Sequence, residues 1–467
     1  MLSVGHACVD ICQGAVTALL PFFIAERDYT YAVASGIVAS PRGPKTPGAR
    51  RGHVRSTTAL SSLPEDDPMD PETLLVHAGR QTAGAAHAVS PPLVRTSTTL
   101  FESYDAYKQA QGGLVFDGPR YGRSGTSTTF ELQRAMAKVV NTETCVATSS
   151  GLAAITAVLA AHAGPGRHIL VGAGVYGPTR VFCDNVLIPS GTDVEYFAHD
   201  ADVASLLREG TSLVFVETPA SLTMEMWDVP AVCAAAHDRG VPVACDATWG
   251  TPVFLDAHAL GIDISIHAAT KFINGHSDLL LGLITGTLDA LAGVRAYCDR
   301  SGTHAAPDTC WLTLRGLRTL AVRMERHQRS ALAVAQWLQP QPSVQRVLFP
   351  ALDTDPGHKL WQSQFSGAAG PFTVELAPCS EEAFTRFIDG LSLFGLGTSW
   401  GGFESLVMPA VPHHLRAMDA PANAPRLVRF HIGLESPQDL CDDLATALTA
   451  LQGDADTDAG TPRQASA

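Results

Sequence analysis

The chain has 467 residues, more than one hydrophobic core usually organises, and 46% of them are hydrophobic. Its formal net charge of -14 at pH 7 argues against nucleic acid or an anionic membrane surface as a partner, because both carry negative charge themselves. The ten cysteines form no CxxC pair, and no HExxH motif occurs, so a zinc site is not expected. Scattered cysteines in a long chain are typical of reduced core thiols, which predicts a cytoplasmic protein.

The first 70 residues differ from the rest of the chain. Residues 14–25 are apolar, but a membrane-spanning helix needs about 20 residues, and the basic start of a signal peptide is missing. Residues 1–40, through the stretch Gly5–Ala15, resemble the start of a drug-efflux transporter of the major facilitator type, although no later stretch supplies its other helices. Residues 41–70 are rich in Pro, Gly, Ser and Arg, which predicts a disordered linker. We therefore interpret residues 1–70 as an N-terminal extension and expect no membrane contact by the remainder.

Globular sequence is predicted to begin near Pro71, with an N-terminal arm over residues 71–128 that contains the Gly-rich stretch around Tyr121-Gly122-Arg123. A helix is predicted from Phe130 to Val140. The turn Ser149-Ser150-Gly151 then opens an Ala-rich helix. Because the first N–H groups of a helix lack partners and face outward at its positive end, this turn is a candidate phosphate cradle. The signal alone is weak, since Ser and Gly also cap helices without binding anything.

Short apolar runs then alternate with helical patterns. The predicted strands are residues 168–171, 213–216, 241–245 and 264–266, and the helices between them are residues 203–208 and 229–237. This alternation predicts an α/β fold with a mostly parallel sheet and helices on both faces.

The pattern changes after about Leu317. A long amphipathic helix over Leu320–Leu338 is followed by further predicted elements, namely strands over residues 372–376 and 427–432 and a helix over residues 381–391. We predict a larger α/β domain followed by a smaller C-terminal α+β domain and a disordered tail. The predicted ranges are residues 129–317, 318–453 and 454–467.

A lysine follows the strand predicted at residues 264–266, within Ala268-Ala269-Thr270-Lys271-Phe272. Such a lysine is usually a surface charge, but residues 272–278 lack the pattern of a surface helix, so Lys271 is predicted to point into a cleft. Burial lowers the pKa of a lysine because it disfavours the charged form, and a neutral amine is the form that bonds covalently to an aldehyde.

Asp246 favours this catalytic interpretation over a structural lysine. It stands at the carboxyl end of the strand predicted at residues 241–245, and ligands of open α/β sheets bind at that edge. Pyridoxal phosphate (PLP) uses such a pair: the acid keeps the pyridine nitrogen protonated and the lysine holds the aldehyde.

Gly172–Gly177 is a literal GxGxxG after a strand, and Glu195 lies at about the distance expected of a ribose-binding acid. A dinucleotide site is therefore an open alternative. The dinucleotide-binding fingerprint belongs on the first strand of its domain, however, and here a helical segment precedes it. A dinucleotide site would also leave Asp246 and Lys271 without a function. We favour the PLP interpretation.

Five stretches together carry a resemblance to a known family: Tyr121–Thr126, Glu217–Glu225, Ala268–Lys271, Thr313–Leu320 and Ser399–Ser405. On these motifs, residues 71–451 resemble the PLP-dependent enzymes of cysteine and methionine metabolism, the trans-sulfuration enzymes. Within them the chain is most similar to the bacterial cystathionine β-lyases. The resemblance implies the aspartate-aminotransferase-like fold, fold type I. It also implies a homotetramer of dimers with active sites shared across the dimer interface.

Two departures separate the chain from the γ-synthase and γ-lyase branch. That branch usually has Asn-Pro after Glu-Ser-Pro, where this chain has Ala220-Ser221-Leu222-Thr223. It also tends to have Glu before Ser-Leu-Gly-Gly, where this chain has Thr398-Ser399-Trp400-Gly401-Gly402. Both departures are shared with the bacterial β-lyases. Thr398 stands where those enzymes can have an aromatic residue, which leaves the fit of the substrate at this wall open.

The resemblance also implies roles for the cofactor-binding residues. Lys271 would hold PLP and then take the Cα proton, Asp246 would pair with the pyridine nitrogen, and Tyr176 would stack on the ring. The phosphate would be bound by the backbone of Gly151 and Leu152, the hydroxyl of Thr270, and Tyr121 and Arg123 of a neighbouring subunit, with Tyr121 also taking part in catalysis. The alternatives are a turn aromatic for Tyr176 and a surface charge for Arg123.

Arg429 would bind the substrate α-carboxylate, and Ser399 and Trp400 would line the substrate pocket. The alternatives are a buried ion pair for Arg429 and a core residue for Trp400. The implied activity is a carbon–sulfur lyase reaction, the β-elimination of the amino acid L-cystathionine to homocysteine, pyruvate and ammonia in methionine biosynthesis. A cysteine or cystine β-lyase and, with less support, a γ-lyase or γ-synthase remain alternatives. A non-catalytic or membrane-tethered module is a different class, against which the set of Lys271, Asp246 and Arg429 argues.

Overall fold

The computed structural model of the protein describes residues 70–79, 89–113, 116, 118–410 and 426–452. The predicted extension over residues 1–70, with its resemblance to a transporter, lies outside the described residues except for Asp70, and so does the predicted tail over residues 454–467. Within the described part, no helix is both long enough and apolar enough to cross a membrane.

The larger of two sheets has seven strands in the order β1-β7-β6-β5-β4-β2-β3. The five strands β2 to β6 are all parallel to one another, and β7 is antiparallel to both β1 and β6. The strands are β1 Thr144–Thr148, β2 His168–Gly172, β3 Asp193–Phe197, β4 Thr211–Glu217, β5 Val243–Asp246, β6 Ile264–Ala268 and β7 Gly282–Gly286. The mostly parallel sheet expected from the sequence is confirmed.

Alternate residues of the strands enter two separate cores, which shows that both faces of this sheet are covered. Leu213 and Phe215 of β4 belong to one core, and Val214 and Val216 belong to the other. Successive side chains of a strand point to opposite faces, so a strand buried on both faces becomes a continuous apolar run. The helices of this part of the chain are α1 Pro71–His77, α2 Tyr104–Gly112, α3 Ser127–Val139, α4 Gly151–His162, α5 Gly177–Phe182, α6 Val203–Leu206, α7 Val229–His237, α8 Thr251–Phe254, α9 Ala292–Ser301 and α10 Pro307–Leu317.

The second sheet is smaller and mostly antiparallel, in the order β10-β11-β12-β9-β8. Its strands are β8 Val344–Leu348, β9 Pro371–Leu376, β10 Gly395–Leu396, β11 Leu406–Ala410 and β12 Arg426–His431. The accompanying helices are α11 Leu320–Leu338, α12 His358–Gln364, α13 Glu381–Asp389 and α14 Pro437–Gln452. This α+β arrangement agrees with the predicted C-terminal domain, whose boundary at residue 318 stays a prediction.

Local signals decide where several helices begin and end. Helix α7 has the predicted bounds, because the Asp228 carboxylate accepts a hydrogen bond from Ala231 N and Pro230 fits the first turn. The helix predicted over residues 203–208 is shorter and ends at Leu206, because Leu207 has extended backbone. Strands β1, β3 and β7 of the larger sheet and β8, β10 and β11 of the smaller sheet escaped the sequence analysis.

Candidate active site

A cavity of about 310 Å³ opens at the carboxyl edge of the parallel strands, where it is also lined by residues of the second sheet and its loops. The loops after β1, β2, β4, β5 and β6 contribute Ser150, Tyr176, Pro219, Thr248 and Thr270. Pro371, Ser399 and Arg429 enter from the second sheet and its loops. Ligands of open α/β sheets bind outside this edge, so the cavity is where the sequence predicted it.

Lys271 lies in this cavity, in the turn that follows β6. Its Nζ donates a hydrogen bond to Ser399 Oγ and lies 5.2 Å from the centre of the Trp400 ring. Burial and, second, the charge of Arg429 lower the pKa of Lys271 to about 8, against the opposing effect of Asp246. A substantial fraction of the amine is therefore neutral near pH 8, as covalent chemistry at an aldehyde requires.

A glycine allows the second sheet's loop to approach Lys271 this closely. Gly401 has a φ of +89°, and a Cβ on it would lie 2.9 Å from Lys271 Cα. An L side chain would be strained in this conformation and would also collide with the lysine backbone. The Gly-Gly of the 399–405 motif thus brings Ser399 and Trp400 to the amine.

Asp246 ends β5 and is 6% exposed. Its Oδ1 accepts hydrogen bonds from the backbone N–H and the hydroxyl of Thr248, at 3.0 and 2.5 Å. Burial raises the pKa of Asp246, while the two bonds from Thr248 and the charge of Lys271 lower it. The carboxyl group is held in one orientation and is buried where a cationic ring nitrogen would compensate its charge.

The predicted phosphate cradle is the amino end of α4. Ser150 caps this helix by accepting a hydrogen bond from Ala153 N at 3.0 Å, and Gly151 and Leu152 line the cavity. A Cβ on Gly151 would lie 2.5 Å from Ala268 Cβ, so glycine is needed for the helix to approach the end of β6. Thr270 also lines the cavity, but its hydroxyl already exchanges hydrogen bonds with the backbone of Leu281.

Tyr176 is 42% exposed and lines the cavity from the loop after β2. Its backbone N–H donates a hydrogen bond of 2.5 Å to Glu217 Oε2. Burial and the neighbouring carboxyl groups of Glu217 and Asp246 raise its pKa, so the phenol is uncharged at neutral pH. An uncharged ring open to the cavity is suited to stacking on a planar ligand.

The dinucleotide alternative does not fit this loop. Gly174 packs against Ala220, since a Cβ on it would lie 2.5 Å from Ala220 Cβ. Glu195, the candidate ribose-binding acid, lies 3.3 Å from His168 Nε2 and 3.6 Å from an Arg208 nitrogen. Gly172 ends β2, and a Cβ on it would lie 2.7 Å from the Trp227 ring, so both glycines serve close packing.

Arg429 is 8% exposed in β12 and reaches the cavity from the second sheet. Its Nη2 donates hydrogen bonds to the carbonyl of Ser399 at 2.7 Å and to the Met408 sulfur at 3.5 Å, and its buried Nε has no hydrogen-bond partner among the described residues. Among the described residues, no carboxylate forms an ion pair with it, so the alternative of a buried ion pair has no support there. Burial lowers the pKa of Arg429 to about 10, which leaves a charged guanidinium with a free donor at neutral pH.

Two predicted residues are not brought to the cavity of their own chain. Tyr121 is 49% exposed, and Arg123 donates hydrogen bonds to the carbonyl and carboxylate of Asp299. Neither lines the cavity. The idea that this pair reaches the phosphate of a neighbouring subunit stays a prediction.

Sequence reasoning missed two residues of the site, Glu217 and Thr248. Both stand at or just after a strand end on the edge that carries Asp246. The same rule that selected Asp246 applies to Glu217, so the signal was present. The hydrogen bonds of Thr248 to Asp246 follow from a turn that the sequence pattern does not specify.

The residues present fit PLP. The cavity offers a helix amino end for a phosphate, an uncharged aromatic ring, a buried carboxyl group at a strand end and a partly neutral lysine. The family model described as Cys/Met metabolism PLP-dependent enzyme matches residues 72–449. The chain belongs to this family. It is a PLP-dependent enzyme with fold type I, as the resemblance implied.

Individual relatives cover most of the chain. It is 42% identical over 386 residues to a cystathionine β-lyase of Bordetella avium, covering 81% of this chain and 97% of that protein. It is 37% identical over 382 residues to cystathionine β-lyase MetC of Escherichia coli K12, with 80% and 96% covered. A solved cystathionine γ-synthase of Xanthomonas oryzae, in complex with cystathionine, has a TM-score of 0.76 and 31% identity, with 83% of this chain and all of that chain covered.

Proposed function

We propose that this enzyme is a cystathionine β-lyase, which converts L-cystathionine to homocysteine, pyruvate and ammonia. The observation that carries the proposal is one cavity lined both by Lys271, whose amine has a lowered pKa, and by Arg429, whose Nε has no hydrogen-bond partner among the described residues. A base and an anchor for an α-carboxylate are the two groups that an amino-acid lyase must place together. The β-lyase relatives and the motifs around Ser221 and Trp400 support this choice within the family.

PLP, when bound, supplies an electron sink for the negative charge that develops at Cα. Arg429 binds the substrate α-carboxylate, and its planar guanidinium orients that group through paired hydrogen bonds. Lys271 takes the Cα proton on Nζ. The Cβ–S bond then breaks with its electron pair going to sulfur, and the sulfur takes the proton held on Nζ and leaves as homocysteine. Water hydrolyses the remaining three-carbon fragment to pyruvate and ammonia.

The chain supplies fewer groups for γ-elimination, which needs a second deprotonation at Cβ. The γ-branch has a glutamate before its Ser-Leu-Gly-Gly, and Thr398 stands there in this cavity wall. Trp400 replaces the leucine and lies beside Lys271 Nζ. A threonine hydroxyl is no base at neutral pH, so β-elimination is favoured.

L-cystathionine is expected to give pyruvate and homocysteine, with at least about 100-fold less α-ketobutyrate, since a few kcal/mol of transition-state preference suffices. Chromatography of the derivatised 2-oxo acids and thiols from purified holoenzyme measures this ratio. Dominant α-ketobutyrate would overturn the sub-family assignment. Parallel incubations with cysteine and cystine test the alternative, because a higher kcat/KM on either, with sulfide or persulfide released, would make the protein a cysteine or cystine β-lyase.

We also propose a homotetramer of dimers in the cytoplasm, with Tyr121 and Arg123 completing the site of a neighbouring subunit. The support is that Tyr121 is exposed on the arm, and that the apolar side chains of Leu100, Tyr104 and Tyr107 in the same arm are exposed as well. Burial of exposed apolar side chains stabilises association. Sedimentation analysis of the holoenzyme measures the assembly.

Deleting residues 1–65 is expected to leave assembly, PLP content and turnover within a few-fold of the full chain. The physical reason is that the family match begins at residue 72 and all cavity-lining residues follow residue 149. Kinetics and cofactor absorbance of the two purified proteins provide the comparison. Loss of PLP on truncation would show that the extension is part of the enzyme.

A further inference from the structure

Two carboxyl groups end neighbouring strands at the cavity, and the proposed mechanism uses only one. Glu217 is the last residue of β4, and it is paired in register with Asp246, the last residue of β5. Paired positions of adjacent strands place their side chains on the same face. Glu217 therefore lies beside Asp246, and it also lines the cavity.

Two carboxylates this close in a low-dielectric site repel each other, so one of them tends to keep its proton. Asp246 has more to stabilise its negative charge, because it accepts two hydrogen bonds from Thr248 and feels the positive charge of Lys271. Among the described residues, Glu217 accepts a single hydrogen bond, from Tyr176 N. Burial and then the charge of Asp246 raise the pKa of Glu217 well above its usual range. The cations that line the cavity, Lys271 and Arg429, are not among the groups that lower it.

The single hydrogen bond of Glu217 has a specific target. Tyr176 N is the backbone donor at the residue whose ring lines the cavity, just before α5 begins at Gly177. A carboxyl group needs no charge to accept this bond, because its carbonyl oxygen accepts it in the protonated form as well. Fixing this backbone fixes where the ring lies.

We propose that Glu217 is a positioning residue that stays protonated at neutral pH, holds the backbone of Tyr176, and leaves Asp246 as the sole anion facing the pyridine nitrogen of the cofactor. This inference rests on PLP binding and not on which bond of the substrate is cleaved. A charged Glu217 would compete with Asp246 for the same cation. A neutral Glu217 holds the backbone of Tyr176 without adding a second negative charge beside Asp246.

The protonation state is tested directly by infrared spectroscopy of the holoenzyme at pH 7. The difference spectrum of wild type minus Glu217→Gln is expected to show the C=O stretch of a protonated carboxylic acid. Carboxylate stretches in its place would overturn the proposal. This readout does not depend on turnover, so it is separate from any test of the lyase activity.

The positioning role is tested by the dissociation constant of PLP and by the absorption band of the bound cofactor. In Glu217→Gln the amide oxygen still accepts the Tyr176 N–H, so both are expected to match wild type within about twofold. Glu217→Ala leaves that donor without an acceptor and is expected to weaken PLP binding by about tenfold.

Glu225→Gln is the matched control, because it removes a carboxylate from the same connection after β4 without lying among the cavity-lining residues. It is expected to leave PLP binding and the absorption band unchanged.

A Glu217→Gln variant that binds PLP as weakly as Glu217→Ala would show that the charge of Glu217 matters, and it would overturn the proposal that Glu217 is protonated. An Ala variant that binds PLP like wild type would overturn the positioning role, and if Ala fails to fold, the Gln variant and its infrared spectrum still decide.

Discussion

Lys271→Ala is expected to abolish both turnover and the covalent attachment of PLP. Turnover on L-cystathionine should fall by about 10³-fold or more, because the variant loses the group that holds the aldehyde and also the base for Cα. Borohydride reduction of the wild-type holoenzyme should fix the cofactor's mass on the peptide that contains Lys271. The same treatment of the variant should leave every peptide unmodified.

The control for this experiment is Lys359→Ala, which removes an exposed lysine that is not among the cavity-lining residues. It should retain the adduct on Lys271 and wild-type turnover. A borohydride-stable adduct in Lys271→Ala would identify another lysine as the attachment site. Undiminished turnover in that variant would remove Lys271 from the mechanism altogether.

The position of Lys271 and Asp246 could be predicted because it follows from two simple patterns. Both residues end or follow short apolar strands, and the carboxyl ends of parallel strands meet at one edge of a sheet. Burial of each strand on two faces makes it an apolar run, which is easily recognised. Strands β4, β5 and β6 were therefore predictable, and so was the cavity above them.

The strands that escaped the analysis lack that pattern. β3 is an edge strand with exposed Asp193 at its start, and β7 is bounded by glycines at both ends, which read as turn signals. The glycines of β7 are required by close packing, since a Cβ on Gly282 would lie 2.2 Å from the carbonyl oxygen of Ser150. Such a contact joins residues distant in sequence, and no local pattern reports it.

The part of the site contributed by the second sheet was predictable only through the family motif. Arg429 stands in an apolar strand, and that placement alone allowed either a ligand anchor or a buried ion pair. Distinguishing the two requires knowing which groups contact the guanidinium, and these are the Met408 sulfur of β11 and the backbone carbonyl of Ser399. Tyr121 and Arg123 remain predictions because a single chain does not contain the partner they would face.

Arg429→Ala is expected to raise KM for L-cystathionine by about 10- to 100-fold, the range expected when a charged donor is lost from a carboxylate. The absorption band of bound PLP should stay nearly unchanged, because the role proposed for Arg429 is toward the substrate carboxylate and not toward the cofactor ring. Arg429→Lys keeps the positive charge but lacks the planar guanidinium, so its KM should lie between the values of wild type and Arg429→Ala. Steady-state kinetics and absorbance of the three proteins give these values, and an unchanged KM in the alanine variant would remove the anchor role.

Two further readouts separate an anchor from a residue that merely supports the Ser399 loop. Wild type should bind S-methyl-L-cysteine better than its carboxamide. This preference should be lost in Arg429→Ala, because it depends on the pairing of the guanidinium with the ligand carboxylate.

The charge of Arg429 also helps to lower the pKa of Lys271. Its removal should raise that pKa above about 8, so the pH midpoint for PLP uptake by the apoenzyme should move upward. A variant that keeps both the carboxylate preference and the midpoint would show that Arg429 acts on structure alone.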